Sequence, residues 1–223
     1  LEVDDTLQPN GPVGPKCYGL VHEVYFDSSN SVPEQVPSWM SDGTYIQYGI
    51  YVEAPNEARI KDDIRYYNTY LTYDEANSRV LGAYEIDTHG ASIDEPDKPM
   101  LGSEGAWIYP DEITSIWTTT SDYIIKPQGT VVLASYCRSL WDPDESGGAE
   151  MGDGAWINYG AKAYVGSTLD LPEYMDPFTQ EFWQSICYQE QSVGSAEADA
   201  SNAIGFLAND MQVRGDSSFV MPN

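Results

Sequence analysis

Positive charge is what this sequence has least of. Ten Lys and Arg stand against 36 Asp and Glu over 223 residues, a formal net charge of −26. A field of that sign repels phosphate backbones and anionic headgroups, which argues against nucleic-acid and membrane-surface roles. The acids are scattered and lysine is scarce, so they read as a solvated surface suited to high salt or to an extracellular or cell-surface setting. Long hydrophobic runs are missing too. No stretch approaches the roughly 18 apolar residues that cross a bilayer, so membrane insertion is not expected. The sequence does not begin with a signal-peptide pattern, and Leu1 is not an initiator methionine. The expectation is a processed chain or a domain cut from a longer one. Internal repeats and low-complexity tracts are also absent. What remains is 41% hydrophobic and 13% aromatic, too apolar for disorder.

Cysteine and histidine are rare, which makes each one informative. The stretch that organises the chain is Thr130-Val-Val-Leu-Ala-Ser-Tyr-Cys137-Arg-Ser139. Its apolar run predicts a strand buried on both faces, as in a parallel sheet covered by helices. A thiol at the carboxyl end of such a strand lies where open α/β sheets place their ligands. Ala83-Tyr-Glu-Ile-Asp-Thr-His89-Gly90 alternates like a strand and ends on one of only two histidines. A Cys and a His-Gly at two strand ends suggest a thiol nucleophile and its acid/base partner. Taken alone, Cys137 reads as a buried structural thiol and His89 as a turn histidine; their shared context shifts the balance. His22 falls mid-strand and reads as structural.

The remaining elements follow from periodicity. Residues 1–16 form an irregular leader, and 17–223 one α/β domain of a size that buries a sizeable core. Strands are expected at Cys17–Phe26, Thr44–Val52, Lys162–Ser167 and Met211–Arg214. Asp27–Gly43 reads as a loop because of Pro33 and Pro37, as does Ala91–Gly105 with its turn formers. Helices are expected at Asn56–Tyr73 (Ile60, Ile64, Tyr67 and Leu71 on one face), Pro110–Trp117, Asp153–Tyr159, Pro177–Tyr188 and Val193–Ala208. Strands alternating with helices predict a mostly parallel sheet flanked by helices.

His89-Gly90 and Cys137-Arg-Ser139 resemble the two active-site motifs of the caspase-like cysteine peptidases. Downstream, Trp156-Ile-Asn-Tyr-Gly-Ala-Lys-Ala-Tyr-Val-Gly-Ser-Thr168 is similar to the segment after the nucleophile in gingipain-like members. Phe178-Thr-Gln-Glu-Phe-Trp183 and Ser192-Val-Gly-Ser-Ala196 resemble that family's next two helices. Gly215-Asp-Ser-Ser-Phe219 resembles its closing Gly-Asp-Pro-Ser-Leu, with Ser217 in place of proline. The likeness runs from about Arg79 to the C-terminus. No one motif is specific; their order along the chain is.

The resemblance implies a caspase-like fold and an extracellular cysteine endopeptidase with a Cys137–His89 dyad. It assigns the oxyanion hole to the N–H groups of Cys137 and Gly90, and glycine there lets a substrate carbonyl approach. Asp87, two before His89, faces the same side of the strand and is placed either to orient the imidazole or as a surface carboxylate. Arg138 is placed to favour the thiolate by its charge. Gingipain-like relatives often cleave after Arg or Lys, and a negative field gathers cationic substrates. The family builds its substrate pocket where Thr168–Tyr174 lies here, with Leu169 and Tyr174 as walls. Asp42, Asp170 and Glu173 are its candidate carboxylates.

Other readings stay open. With Cys137 as nucleophile, the odd thiol count leaves Cys17 and Cys187 to form a disulfide. The alternative is three reduced, buried thiols. The chemistry requires no cofactor and no metal. Calcium is a candidate ligand of Asp94-Glu-Pro-Asp97 or Asp142-Pro-Asp-Glu145, neither with EF-hand spacing, and a solvated loop is the stronger reading of both. The partner is a polypeptide substrate, and no oligomeric state follows from the sequence. The rival function is a non-catalytic module of the same fold, acting as a surface or assembly component. A third class, a carbohydrate- or ligand-binding domain, would draw on the 17 Tyr and 6 Trp.

Overall fold

A computed structural model describes residues 14–24, 32–90, 100–101, 103–140, 151–171, 175–205 and 211–222. Strand β1 (Lys16–Glu23), helix α1 (Val32–Gly43), β2 (Tyr48–Glu53), α2 (Glu57–Tyr67), β3 (Tyr70–Leu71) and β4 (Arg79–Asp87) make up its first part. Then come β5 (Met100–Leu101), β6 (Trp107–Ile108), α3 (Pro110–Thr114), β7 (Tyr123–Ile124) and β8 (Val131–Ser135). A π-helical turn at Met151–Trp156 runs into a 3₁₀ turn at Ile157–Tyr159. It precedes β9 (Ala163–Ser167), α4 (Asp176–Gln189), α5 (Val193–Ile204) and β10 (Met211–Gly215).

Six strands form the central sheet in the order β10-β9-β8-β4-β1-β2. All neighbouring pairs are parallel except β10 against β9. The two inner strands β8 and β9 are buried at every position, as their unbroken apolar runs require. Helices α1, α4 and α5 cover one face through Trp39 and Met40, through Phe178, Phe182, Trp183 and Ile186, and through Val193 and Ala196 respectively. The other face packs Leu81, Tyr84 and Val132 against Ile60 and Ile64 of α2, Ile113 of α3 and Trp156. Each such fully buried side chain contributes about 1.5–3 kcal/mol. This is the mostly parallel, helix-flanked α/β arrangement of a caspase-like fold.

Several elements differ from expectation, each for a local reason. The segment read as a loop at 27–43 contains α1. Pro33 sits in its first turn, where a missing N–H costs nothing, and Val36, Pro37, Trp39 and Met40 are buried on the sheet. Pro37 costs one helical hydrogen bond, which that burial offsets. Helix α2 starts one residue after Asn56, whose side chain accepts the Arg59 N–H at 2.8 Å. It ends at Tyr67, so Leu71 belongs to β3 instead. The helix expected at 153–159 is a π turn and a 3₁₀ turn. Of the 1–16 leader, residues 1–13 lie outside the described residues, and Lys16 already belongs to β1.

The three cysteines are free thiols, so the Cys17–Cys187 bridge is not formed. Each thiol is surrounded by other neighbours. A Cβ on Gly82 would meet Cys17 Sγ and the Tyr45 hydroxyl, each at 2.7 Å, whereas Cys187 packs on Gly43 at the end of α1. Burial pushes the Cys17 thiol up to about 11 and that of Cys187 to about 12.

Candidate functional site

The strand register places the two sequence motifs side by side. Asp87, the last residue of β4, is paired with Ser135, the last residue of β8. His89 lies two residues beyond the first and Cys137 two beyond the second, so both leave the same end of adjacent strands. The contact between them is backbone against backbone. A Cβ on Gly90 would fall 1.9 Å from the Cys137 carbonyl oxygen and 2.7 Å from Cδ2 of Tyr136. Glycine is therefore required there to seat the His89 turn on the Cys137 turn. His89 is exposed, Gly90 and Cys137 half-buried.

The turn after Cys137 is tied to the strand beside it. Leu140 N–H donates to Ser167 O at 2.8 Å and Arg138 N–H to Leu169 O at 3.0 Å. Ser139 Oγ accepts the Ser167 N–H at 2.8 Å. The Leu171 N–H donates to Cys137 Sγ at 3.2 Å, and the thiol lies 3.8 Å from Leu171 O. Arg138 takes a left-handed backbone conformation, φ 54°, in which a non-glycine residue is strained. Its Nε donates to Asp170 Oδ1 at 2.7 Å.

The proposed pocket residues separate on inspection. Leu169 is exposed, and its carbonyl is part of the tie to the Cys137 turn. Asp170 is exposed and engaged by Arg138, so it anchors that turn. Tyr174 and Glu173 lie outside the described residues. Asp42 lies at the end of α1 and accepts from Ser38 Oγ at 3.3 Å. The Asp94–Asp97 and Asp142–Glu145 runs also lie outside the described residues. Among the described residues no group of three or more His, Cys, Asp or Glu is arranged to hold a metal ion, and no helix is long and apolar enough to cross a membrane.

Carboxylates that the sequence reading left out gather around Asp87 at the carboxyl ends of β1 and β4. Glu23 ends β1 opposite Asp87 in the register, Glu85 lies two residues back on the same face of β4, and Asp176 opens α4. Glu85 is fully buried, Glu23 and Asp176 nearly so. Trp183 Nε1 donates to Glu85 Oε2 at 2.6 Å, while Glu85 Oε1 has no hydrogen-bond partner. The Tyr51 hydroxyl donates to Glu23 Oε2. The principal charges acting on Glu23, Glu85 and Asp87 are other carboxylates. Burial, and then Glu23 and Asp176, push Asp87 up to about 7; burial and Asp87 hold Glu85 well above the usual carboxylate range. The sequence did carry a signal for this cluster. An acid inside Leu81-Gly-Ala-Tyr-Glu-Ile86 has no place in a fully buried strand unless the site needs it.

Set against known proteins, the chain's likeness is one of fold. No family model matches it. A solved structure described as a protease superposes on 94% of this chain and 49% of its own, with a TM-score of 0.58 and 11% identity. An isoleucine–tRNA ligase of Campylobacter lari is 27% identical over 135 residues, 55% of this chain and 14% of the ligase. The chain thus spans about half of that protease and a seventh of that ligase.

Proposed function

We propose that this chain is a cysteine endopeptidase of the gingipain-like type, secreted or displayed at the cell surface. The observation that carries the reading is the close packing of Gly90 on Cys137, which joins the two motifs at the carboxyl end of the sheet. In this reading Cys137 Sγ attacks the scissile carbonyl and forms a thioester. The His89 imidazolium gives its proton to the departing amine, and a water then releases the acid. The Gly90 and Cys137 N–H groups hold the developing oxyanion. The chemistry needs no cofactor, and calcium in either acidic loop would serve stability alone. Cleavage after Arg or Lys is supported by the carboxylates of Glu23, Asp87 and Asp176 at the same end of the sheet. The charge of −26 opposes a tRNA partner of the ligase kind.

Active-site titration with a thiol-directed peptidyl inhibitor tests the reading. Stoichiometric labelling at Cys137, with cleavage of unstructured peptides, supports it. No labelling above a denatured control, together with an intact peptide library, leaves the non-catalytic module as the better account.

A further inference from the structure

In a chain where acids outnumber bases by 36 to 10, a cation is expected to find a carboxylate. Lys16 and Arg79 do not. Neither forms a salt bridge among the described residues. The register sets them directly opposite each other where β1 and β4 begin, and like charges facing across a strand pair repel. What stands beside them is tyrosine. The Arg79 guanidinium carbon lies 4.0 Å from the centre of the Tyr66 ring, and Lys16 Nζ lies 5.8 Å from that of Tyr48. Tyr18 and Tyr67 join these two rings into one face. Tyr48 stacks on Tyr18 at 5.1 Å, Tyr18 meets Tyr67 at 5.1 Å, and Tyr67 meets Tyr66 edge-on at 5.0 Å.

The strand and helix ends account for this grouping. Tyr18 and Tyr48 are register partners on β1 and β2, and Lys16, two residues before Tyr18, points to the same side of the sheet. Tyr66 and Tyr67 close α2 on that side. Tyr66 is 54% exposed and Tyr48 37%, so both rings open to solvent. Contiguous exposed rings of this kind mark a binding surface rather than a core. Arg79 opens β4 and Asp87 closes it, roughly 26 Å of strand further on. The face therefore lies at the other end of the sheet from His89 and Cys137, and it does not rest on the peptidase reading.

We propose that this face binds an acidic sugar, whose C–H face lies on Tyr48 or Tyr66 while its carboxylate meets Lys16 or Arg79. Each exposed ring has one cation beside it, which matches a ligand whose ring carries one negative charge. Tyrosine supplies the apolar face, and the two cations supply charge-assisted hydrogen bonds to a carboxylate. The charge of −26 on the whole chain selects against heavily charged polymers. The ligand that fits is a uronic acid carried on an otherwise neutral glycan. A nucleotide, with its more highly charged phosphate, fits less well.

The test is a ligand-observed NMR titration of the full chain with methyl glucuronoside. Methyl glucoside serves as the ring without the charge, lactate as the charge without the ring, and adenosine monophosphate as the nucleotide. Methyl glucuronoside should bind at least about fivefold more tightly than each of the other three. Lys16→Gln and Tyr48→Ala should each weaken it by about threefold or more, and combining Tyr48→Ala with Tyr66→Ala should abolish binding. Circular dichroism and thermal melting check that each variant keeps its fold, and Lys16→Gln breaks no side-chain hydrogen bond of the described residues. Alkylation of Cys137 should leave binding unchanged. Equal binding of the glucoside, or tighter binding of the nucleotide, overturns the proposal. So does binding that survives the double tyrosine change or is lost on alkylating Cys137, since either places the sugar elsewhere. Failure of the peptidase reading is read separately, as an unreactive thiol and an intact peptide library.

Discussion

The two faces of the central sheet each bury acids, and they treat them in opposite ways. Beneath α2, Asp63 lies 2.6 Å from Arg59 Nε and 3.3 Å from His22 Nε2. His22 in turn meets the Tyr84 hydroxyl at 3.1 Å. With two basic partners Asp63 is held below the ordinary carboxylate range even though burial opposes this. Across the sheet, the charges nearest Glu85 and Asp87 are those of other acids, Glu85 has only the Trp183 indole as a donor, and burial holds both above that range. Paired burial builds structure. Unpaired burial stores electrostatic cost, and such cost persists where a site needs it.

The largest expected effect lies in catalysis on the unpaired side. His89→Ala should lower turnover of a peptide substrate by two to four orders of magnitude or more, because the leaving amine loses its proton donor. Asp63→Ala should leave the dyad untouched but destabilise the fold by about 3 kcal/mol, read by urea unfolding, because His22 and Arg59 lose their partner. If Asp63→Ala impaired turnover as much as His89→Ala while stability held, the division between the two faces would fail.

Stability against pH separates the faces more finely. Glu85 and Asp87 bind protons more tightly folded than unfolded, so their contribution falls as pH rises from about 4 towards 7. Glu85→Gln should remove part of that fall, leaving stability at pH 7.5 unchanged or higher by about 1 kcal/mol. His22 runs the other way. It is buried with a lowered pKa, so the unfolded chain takes up the proton first and stability drops as pH falls below about 6.5. A Glu85→Gln protein with a pH profile parallel to wild type would mean that Glu85 is already compensated.

The smallest effect is general. With −26 on the chain, the melting temperature should rise by several degrees between low and molar sodium chloride. A further rise with calcium at matched ionic strength would assign a site to one of the acidic loops. A flat response to sodium chloride would show that the carboxylates are well compensated.

Much of the fold was legible because its signals are local. The all-apolar run at Val131–Ala134 required a buried strand, Asn56 marked the start of α2, and Pro110 the start of α3. Helix α1 was hidden because its prolines speak for a loop while the burial of Val36, Trp39 and Met40 is a tertiary fact. The meeting of Gly90 with Cys137 was legible in outline, as two motifs at strand ends. Its physical reason was not: glycine is required by the Cys137 carbonyl, a contact spanning 47 residues. Glu23 and Asp176 escaped notice because a surface acid and a buried one look alike in a chain this acidic. Asp170, read as a candidate pocket carboxylate, also pairs with Arg138, a contact across 32 residues that no local signal announced.

The central claim is that Cys137 is the working thiol, and differential alkylation tests it most directly. Burial holds Cys17 near 11 and Cys187 near 12, which keeps both protonated and slow at neutral pH. Cys137 is half-buried, with its carbonyl packed against Gly90. Iodoacetamide at pH 7.5, followed by peptide mapping, should modify Cys137 at least about tenfold faster than either of the others, and His89→Ala should narrow that gap. Equal labelling of all three, or a Cys137 rate unchanged by His89→Ala, would contradict the account.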